Sequence, residues 1–440
     1  MDITKKAIGA NQASIQLSAI STYSKNRALK AVRDQMQKKT SDIVLANQAD
    51  LEKAEKEKLP GPLLKRLKFD ESKIEEACEG LGSLSKLPDP VGRTLTATKL
   101  DGGLELYKVT CPIGVIGVVF ESRPDALVQI SSLCLKSGNA VLLKGGSEAA
   151  NTNKILAEIV SSASIKAGIP DNWLTLLETR ADVKEMLDLD DYIDLIIPRG
   201  SNTFVKQIMQ STTIPVLGHA DGICHVYIDD KADLDMAVNI VVDSKTQYVA
   251  VCNAVETVLV HKDIAHTLLP QLKDALEQKG VELRGCDKTV QIIKVKAAAE
   301  EDWSTEYLDL ILSIKVVNDL NAAIDHINRY GSKHTDVIVT KNRANAIDFM
   351  DRVDSADVFL NCSSRFSDGF RFGLGAEVGI STNKIHARGP VGLEGLVIYK
   401  WILIGNGHIV ADYSGKEAKN FIHKKLRKTF DLYKMRKKPV

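Results

Sequence analysis

A chain of 440 residues is too long for one simple hydrophobic core, so we expect two or three domains. A net charge of +1 and a charged fraction of 26% give no reason to expect a nucleic acid or a membrane as partner. The seven cysteines include no CxxC pair, which argues against a zinc ribbon or a redox motif and indicates free thiols in a reducing compartment. The N-terminus has no apolar signal-peptide core, so we expect a cytoplasmic protein.

The N-terminal region, from residue 2 to about 85, has the spacing of amphipathic helices. Its stretch from 27 to 59 is rich in Ala, Lys, Glu and Leu and contains neither Gly nor Pro, which favours helix. Two alternating runs then flank Asp101-Gly102-Gly103. This turn chemistry predicts a β-hairpin.

From 112 to about 230, apolar strands alternate with helical segments, and the same pattern returns between 254 and 360. Continuous apolar strands that alternate with helices are typical of a mostly parallel sheet covered on both faces. The sequence therefore predicts two α/β domains. The segment GLVIYKWILIGNGHIVADY alternates around Gly405-Asn406-Gly407 and predicts a second hairpin, which could join the first in an extra sheet used for subunit association.

Two loops at predicted strand ends are suited to a dinucleotide. In AVLLKGGSEAA a strand ends at the lysine loop, residues 144–147, and in DLIIPRGSNTFVKQI a strand ends at the arginine loop, residues 198–201. Ligands bind at this edge of open α/β sheets, and the helix N-termini there attract phosphate. The alternative is that Ser147 and Ser201 only cap their helices. The candidate cofactor contacts are Lys144, Gly146, Ser147, Arg199, Gly200 and Ser201.

Cys252 lies in KTQYVAVCNAVETVLV, whose apolar and β-branched composition favours a buried core cysteine, with a nucleophile in a cleft as the alternative. In FESRPDALVQ, Ser122 can donate a hydrogen bond and Arg123 can bind an anion, unless the segment is a surface loop before a helix. No set of carboxylates or cysteines completes a metal site around His219 and His225. We therefore expect structural roles for these two histidines and no bound metal.

These segments, in this order and ending in TQYVAVCNA, resemble the aldehyde dehydrogenase superfamily. Finer motifs resemble its γ-glutamyl phosphate reductase family from about residue 5 to about residue 415, among them ESRPD, KSGNAVLLKGGSEA, IIPRGSN, IPVLGHADGICHVYID, CNAVETVLVH, AIDHINRYGSKHTDVIVT and FGLGAEVGISTNKIHARGPVGLEGL. The resemblance implies NADPH-dependent reduction of L-glutamate 5-phosphate to L-glutamate 5-semialdehyde with release of phosphate, the second step of proline biosynthesis. It also implies a homo-oligomer and a functional association with glutamate 5-kinase, which some relatives carry as a fused domain.

The resemblance implies that Cys252 is the nucleophile, whose thiolate attacks the acyl phosphate to form a thioester. The oxyanion would be held by the cysteine's own N–H and by a superfamily asparagine that is Ser122 here, so the second donor stays open. Asn253 completes the candidate catalytic set. The glutamate base of hydrolytic relatives is absent, and His219 falls near its position. Because a reductase that releases phosphate needs no activated water, this absence favours an acyl phosphate substrate over aldehyde oxidation.

The choice of cofactor follows from a third departure from the superfamily pattern. NAD-preferring relatives carry Lys-Pro-x-Glu, in which the acidic residue holds the adenosine ribose. This chain has a hydroxyl at that position, Ser147, although Glu148 is adjacent. Loss of the carboxylate leaves room for a 2′-phosphate beside Lys144, so we predict NADPH as the cofactor.

The implied substrate carries a carboxylate and a phosphate, and arginine binds both groups bidentately. A structural ion pair is the alternative for each arginine considered. Ser363 and Ser364 fall where relatives anchor the far end of the substrate. The candidate substrate contacts are Arg123, His219, Ser363, Ser364, Arg365 and Arg388.

Together these features predict an aldehyde dehydrogenase-like α/β enzyme with two mostly parallel sheets and a small β-hairpin element. The predicted divisions are an NADPH-binding domain (1–94 and 112–230), a catalytic domain (231–385), oligomerisation hairpins (95–111 and 394–415) and a basic tail (416–440). The alternatives are a CoA-acylating aldehyde dehydrogenase, which also lacks the glutamate base, and a non-catalytic scaffold that keeps the fold.

Overall fold

The N-terminal region forms a helical layer in the structure, a computed structural model that describes residues 2–121, 123–218 and 221–430. Its helices are α1 (Ile3–Leu17), α2 (Thr22–Lys38), α3 (Thr40–Lys56), α4 (Gly61–Leu67) and α5 (Glu71–Lys86). Short polar side chains cap them: Asp2 accepts a hydrogen bond from the N–H of Thr4 at 3.0 Å, and Asp70 accepts one from that of Lys73 at 3.2 Å. The apolar faces of these helices share one core with the first parallel sheet.

A β-hairpin follows, as the turn chemistry predicts. It consists of β1 (Thr94–Asp101) and β2 (Leu104–Pro112), paired antiparallel. The Asp101 carboxylate accepts a hydrogen bond from the N–H of Gly102 at 2.6 Å, and Gly103 adopts the left-handed φ of 78° that the turn requires.

The first parallel sheet has the order β5-β4-β3-β6. Its strands are β3 (Val115–Phe120), β4 (Ala140–Lys144), β5 (Leu174–Leu176) and β6 (Leu195–Arg199), and the helices that follow them are α6 (Pro124–Ser137), α7 (Ala150–Lys166), α8 (Arg180–Leu187) and α9 (Asn202–Gln210). Every residue of β3 and β4 is buried, because helices cover both faces. The lysine loop and the arginine loop extend from the carboxyl ends of β4 and β6.

The second parallel sheet has seven strands in the order β10-β9-β11-β8-β7-β12-β13. The strands are β7 (Cys224–Ile228), β8 (Val255–His261), β9 (Glu282–Gly285), β10 (Lys296–Ala297), β11 (Ile311–Val317), β12 (Thr335–Val339) and β13 (Asp357–Leu360). The helices are α10 (Leu234–Thr246), α11 (Lys262–Glu277), α12 (Asp287–Ile292), α13 (Leu320–Tyr330) and α14 (Arg343–Arg352). Two hydrophobic clusters pack on this sheet, and both are separate from the core that surrounds the first sheet.

The strand β7 corrects one predicted boundary. The sequence assigns residues up to 230 to the cofactor-binding domain, yet β7 pairs in parallel with β8 and β12 of the second sheet. The prediction was wrong because a fully buried strand looks the same in either sheet. Only its neighbours, for example Val258 and Val337 on either side of Val226, decide which sheet it joins.

The second predicted hairpin is also wrong. The last strands are β14 (Gly379–Ser381), β15 (Gly389–Val391), β16 (Val397–Ile404) and β17 (Lys424–Lys425). Strand β16 has no hairpin partner after Gly407 and pairs instead with β2 along its whole length, in a sheet of order β16-β2-β1-β17. Residues 410–413 form a 3₁₀ turn, and the Tyr413 hydroxyl donates a hydrogen bond to Asp101 at 2.7 Å.

The basic tail contributes to this small sheet. Its strand β17 pairs with β1, and Leu426 and Phe430 pack on the apolar face around Tyr107. Lys428 forms an ion pair with Glu105 at 2.6 Å. No helix in the described part of the chain is long and apolar enough to span a lipid bilayer.

Candidate active site

Cys252 lies in the thiol loop, residues 247–254, which connects α10 to the start of β8. The cysteine is free and partly exposed, so the alternative of a core residue is not what the structure has. Gly222 packs against its backbone so closely that an added Cβ would lie 2.6 Å from the Cys252 Cβ and would overlap its carbonyl oxygen. The thiol of buried Cys224 donates a hydrogen bond to the same carbonyl at 3.2 Å. These contacts fix the main chain that carries the reactive sulfur.

Asn253 and the two predicted substrate serines form a buried network beneath the thiol loop. The Asn253 side-chain amide donates to the carbonyl of Ser367 at 2.7 Å, and the Ser364 hydroxyl donates to the carbonyl of Asn253 at 2.6 Å. The Ser363 and Ser244 hydroxyls lie 3.1 Å apart. All of these residues are buried. The geometry gives Asn253, Ser363 and Ser364 a role in positioning the loop, and their predicted contact with substrate stays a prediction.

Arg365 brings a positive charge close to the thiol. Its side chain is only 8% exposed, and its Nε donates to the Gln247 side chain, in the thiol loop, at 2.9 Å. Burial, and then the neighbouring Arg371, lower the pKa of Arg365, whereas the Cys252 thiolate acts in the opposite direction. Arg365 is thus a buried cation in direct contact with the loop that carries Cys252.

Arg199, which the sequence assigns to the cofactor, is a second arginine with a shifted pKa. Burial, and then Arg123, lower the pKa of the Arg199 guanidinium, whereas Glu377, Asp125 and the Cys252 thiolate oppose this shift. Arg123 is half exposed and forms an ion pair with Asp125 at 2.9 Å.

A buried ion pair, which was not predicted from the sequence, connects the two ends of the thiol loop. Lys245 in the last turn of α10 and Glu256 in β8 lie on either side of the loop and meet at 2.6 Å, both fully buried. Burial raises the pKa of Glu256 to about 7 and lowers that of Lys245, although each partner opposes the shift of the other. A signal was present in the sequence: a glutamate within the apolar strand VETVLV requires a buried partner.

The lysine loop is a close-fitting turn at the end of β4. The Lys144 ammonium donates to the carbonyl of Gly145, and burial lowers its pKa while Glu148 opposes the shift. The Glu148 carboxylate folds back over Gly146, so that a Cβ added there would displace it. Ser147 is exposed and begins a 3₁₀ turn that leads into α7. The loop has a cation, a glycine turn and a helix start, which fit a phosphate-bearing cofactor.

The arginine loop begins α9 and already faces a carboxylate of the chain. Ser201 is the N-cap residue, but its side chain makes no capping bond. Its N–H donates instead to the Glu121 carboxylate at 3.2 Å, and a Cβ on Gly200 would lie 2.6 Å from that carboxylate. An anion therefore occupies this helix N-terminus, as expected from the free N–H groups and the dipole.

The other predicted residues lie elsewhere or outside the described part of the chain. Ser122 and His219 are outside the described residues. The Arg388 guanidinium forms an ion pair with Asp354 at 3.2 Å, which is the structural alternative that the sequence left open. His225 is fully buried against Asp336, with 2.9 Å between the imidazole and the carboxylate. Among the residues that the structure describes, no group of three or more His, Cys, Asp or Glu could hold a metal ion.

The structure thus has two α/β units, and the second of them carries a free, partly exposed cysteine in the loop before β8. A model of the aldehyde dehydrogenase family matches residues 2–309, so the chain belongs to that family. Solved structures of more distant members share the fold: an acetylating aldehyde dehydrogenase from Geobacillus thermoglucosidasius aligns with a TM-score of 0.62 at 15% identity, covering 92% of this chain and 97% of that one.

Closer relatives specify the branch of the family. γ-Glutamyl phosphate reductases from Acetivibrio thermocellus and Pelotomaculum thermopropionicum are each 64% identical over 432 residues, which is 98% of this chain and 100% and 99% of those proteins. The crystal structure of a γ-glutamyl phosphate reductase from Thermotoga maritima has a TM-score of 0.91 at 40% identity and covers 93% of this chain and 100% of that one. The resemblance found in the sequence, the fold class and the enzyme class are confirmed.

Proposed function

We propose that this chain reduces L-glutamate 5-phosphate to L-glutamate 5-semialdehyde with release of phosphate, through a thioester on Cys252. The observation that carries the proposal is the position of Cys252, which is partly exposed in a loop that buried Arg365 contacts through Gln247 at 2.9 Å. An anionic acyl donor fits this arrangement. The reaction is the second step of proline biosynthesis, and glutamate 5-kinase, whose product would be the substrate, is the proposed functional partner.

The first chemical step follows from the thiol's surroundings. The attacking form of Cys252 is its thiolate. The sulfur forms a bond to the acyl carbon, and the carbon–oxygen bond to phosphate breaks with its electron pair on the leaving phosphate. The contacts from Gly222 and Cys224 hold the backbone during the attack. The backbone N–H of Cys252 is the proposed oxyanion donor.

A nicotinamide cofactor fits the lysine and arginine loops, and NADPH is the form that we propose. When bound, it supplies a hydride to the thioester carbon, after which Cys252 departs as the thiolate. Lys144 would hold the 2′-phosphate, and Ser147 at the start of the turn into α7 would contact the remaining phosphates. In support, an engineered glycolyl-CoA reductase of the same fold has been solved with NADP⁺ bound, at 15% identity and a TM-score of 0.63.

Self-association through β16 is part of the proposal. This strand is an edge of the small sheet, and it exposes large apolar side chains that are between 39% and 56% accessible: Ile398, Tyr399, Trp401 and Leu403. Such an edge offers unpaired backbone groups and apolar surface to a second copy of the chain. A cytoplasmic location stays a prediction.

The test is the reverse reaction, in which glutamate semialdehyde, phosphate and NADP⁺ are mixed and the reduced nicotinamide is measured. Cys252→Ala is expected to abolish the phosphate-dependent rate, because no thioester can form. Equal rates for the variant and the unmodified enzyme would refute the nucleophile. A rate that depends on CoA and not on phosphate would identify a CoA-acylating enzyme instead.

A further inference from the structure

Arg199 ends the strand β6 of the first sheet, and its guanidinium lies against the start of β14. Arg199 is the last residue of β6 and pairs with Phe120, and its carbonyl accepts a hydrogen bond from the N–H of Glu121 at 3.2 Å. A Cβ built on Gly379, at the start of β14, would lie 3.8 Å from the Arg199 Nε. The backbone is therefore fixed in the first sheet while the guanidinium lies against the segment that follows the catalytic domain's last strand.

The guanidinium also has unused hydrogen-bonding capacity. Its Nη1 is buried and makes no hydrogen bond to any described residue. Arg123 repels this guanidinium, whereas the carboxylates of Glu377 and Asp125 and, more weakly, the Cys252 thiolate attract it. A buried donor without an acceptor is costly, and a guanidinium binds phosphate through charge-assisted hydrogen bonds.

We propose that Arg199 binds the phosphate group of the acyl phosphate, and not a phosphate of the cofactor. This assignment rests on the proposed function and adds a residue to its reaction. When the Cys252 sulfur bonds to the acyl carbon, negative charge develops on the oxygen that leaves with the phosphate. Arg199 donates to that oxygen or to its neighbours on phosphorus, Arg123 adds a second charge, and the released phosphate takes its proton from solvent.

The lysine loop offers the cofactor a phosphate contact of its own, the Lys144 ammonium. The N–H of Ser201 adds none, because it already donates to the Glu121 carboxylate. The neighbours of Arg199 named above, by contrast, include the reactive thiol. A phosphate joined to the carbon that this thiol attacks is the anion that the position fits.

The test compares Arg199→Gln with Arg343→Gln, a matched control at an exposed arginine in the first turn of α14. Arg199→Gln is expected to raise the KM for phosphate in the reverse reaction by about 10- to 100-fold, the loss of hydrogen bonds to a charged group, while the Kd for NADPH changes by less than about twofold. Arg123→Gln is expected to have a smaller effect, since Asp125 and solvent already offset its charge. Arg199→Lys keeps the positive charge but loses the paired N–H donors of the guanidinium, so its KM for phosphate should lie between those of the unmodified enzyme and Arg199→Gln.

An increase in the Kd for NADPH, or an unchanged KM for phosphate, would overturn the assignment. A binding assay separates this outcome from failure of the proposed function. Phosphate is expected to protect Cys252 from iodoacetamide in the unmodified enzyme and not in Arg199→Gln, with Cys252→Ala as the blank for other thiols. Protection that is equal in both proteins would overturn the role of Arg199, whereas absence of any phosphate-dependent turnover in the unmodified enzyme would refute the proposed function.

Discussion

On the thiol side of the cleft, Cys252 is carried by a loop whose neighbours are nearly all buried and hydrogen-bonded, from Ser364 below it to the Lys245–Glu256 pair across its ends. On the cofactor side, the lysine and arginine loops are turns in which Ser147 and Gly200 are exposed. The thiol must stay within bonding distance of one carbon, while a cofactor must enter and leave in each turnover. The comparison shows that buried hydrogen bonds and the buried ion pair are concentrated around the thiol loop, where the thioester bond would form.

The largest expected effect is on the thiol side. In Gly222→Ala, the new methyl group would overlap the Cys252 carbonyl, so the thiol loop must shift. We expect kcat/KM to fall by about 100-fold, the typical loss when a reacting group is misplaced by about 1 Å. The control is Gly80→Ala in α5, where a Cβ meets nothing within 4 Å and activity should be unchanged. Equal activity in both variants would mean that the loop is not held as tightly as the contact indicates.

A smaller effect is expected on the cofactor side. Lys144→Met removes the only cation of the lysine loop but leaves the thiol side intact. We expect the preference for NADPH over NADH, measured as the ratio of kcat/KM values, to fall by about tenfold, the loss of one charge-assisted contact. The kcat with saturating NADPH should change little. A tighter KM for NADH than for NADPH in the unmodified enzyme would contradict the proposed cofactor at the outset.

The third prediction concerns stability in acid, because the two halves of the chain differ in their histidine content. All nine histidines lie at or after residue 219. Burial, and then His225, lower the pKa of His326 to about 2, far below the value of about 6.5 in an unfolded chain. Between these values the unfolded state binds a proton that the folded state does not, so stability is lost as the pH falls below about 6.5, by about 1.4 kcal/mol per pH unit.

The measurement is the free energy of unfolding between pH 7 and pH 5. His326→Gln keeps an acceptor for the Lys315 ammonium, which lies 3.1 Å from the His326 Nδ1, but cannot take up a proton. Its stability should therefore depend less on pH than that of the unmodified protein. His266→Gln, at an exposed position of α11, is the control and should leave the slope unchanged. A slope that His326→Gln does not alter would place the acid sensitivity elsewhere.

Two errors show that sequence patterns do not predict which distant strands pair. The strand at 224–228 was placed in the wrong sheet, and Gly405–Gly407 was taken for a hairpin. Alternation and turn residues act over a few positions, and they contain nothing about which distant strand becomes a neighbour. Strand β16 pairs with β2, almost 300 residues earlier in the chain, because the two apolar edges meet in the folded molecule.

The candidate active site shows the same difference between local motifs, which can be predicted, and contacts between distant residues, which cannot. The lysine loop, the arginine loop and the thiol loop were all found from the order of residues and from the family resemblance, because each is a short local motif. Contacts between distant residues were not: the Lys245–Glu256 pair was not predicted. The sequence by itself determined the helices and the apolar strands, since these depend on periodicity, and the family resemblance added Cys252 as the candidate nucleophile. Only the tertiary structure decided which charges surround Cys252, because desolvation and Coulomb interactions depend on distances in space between residues that are far apart in the chain.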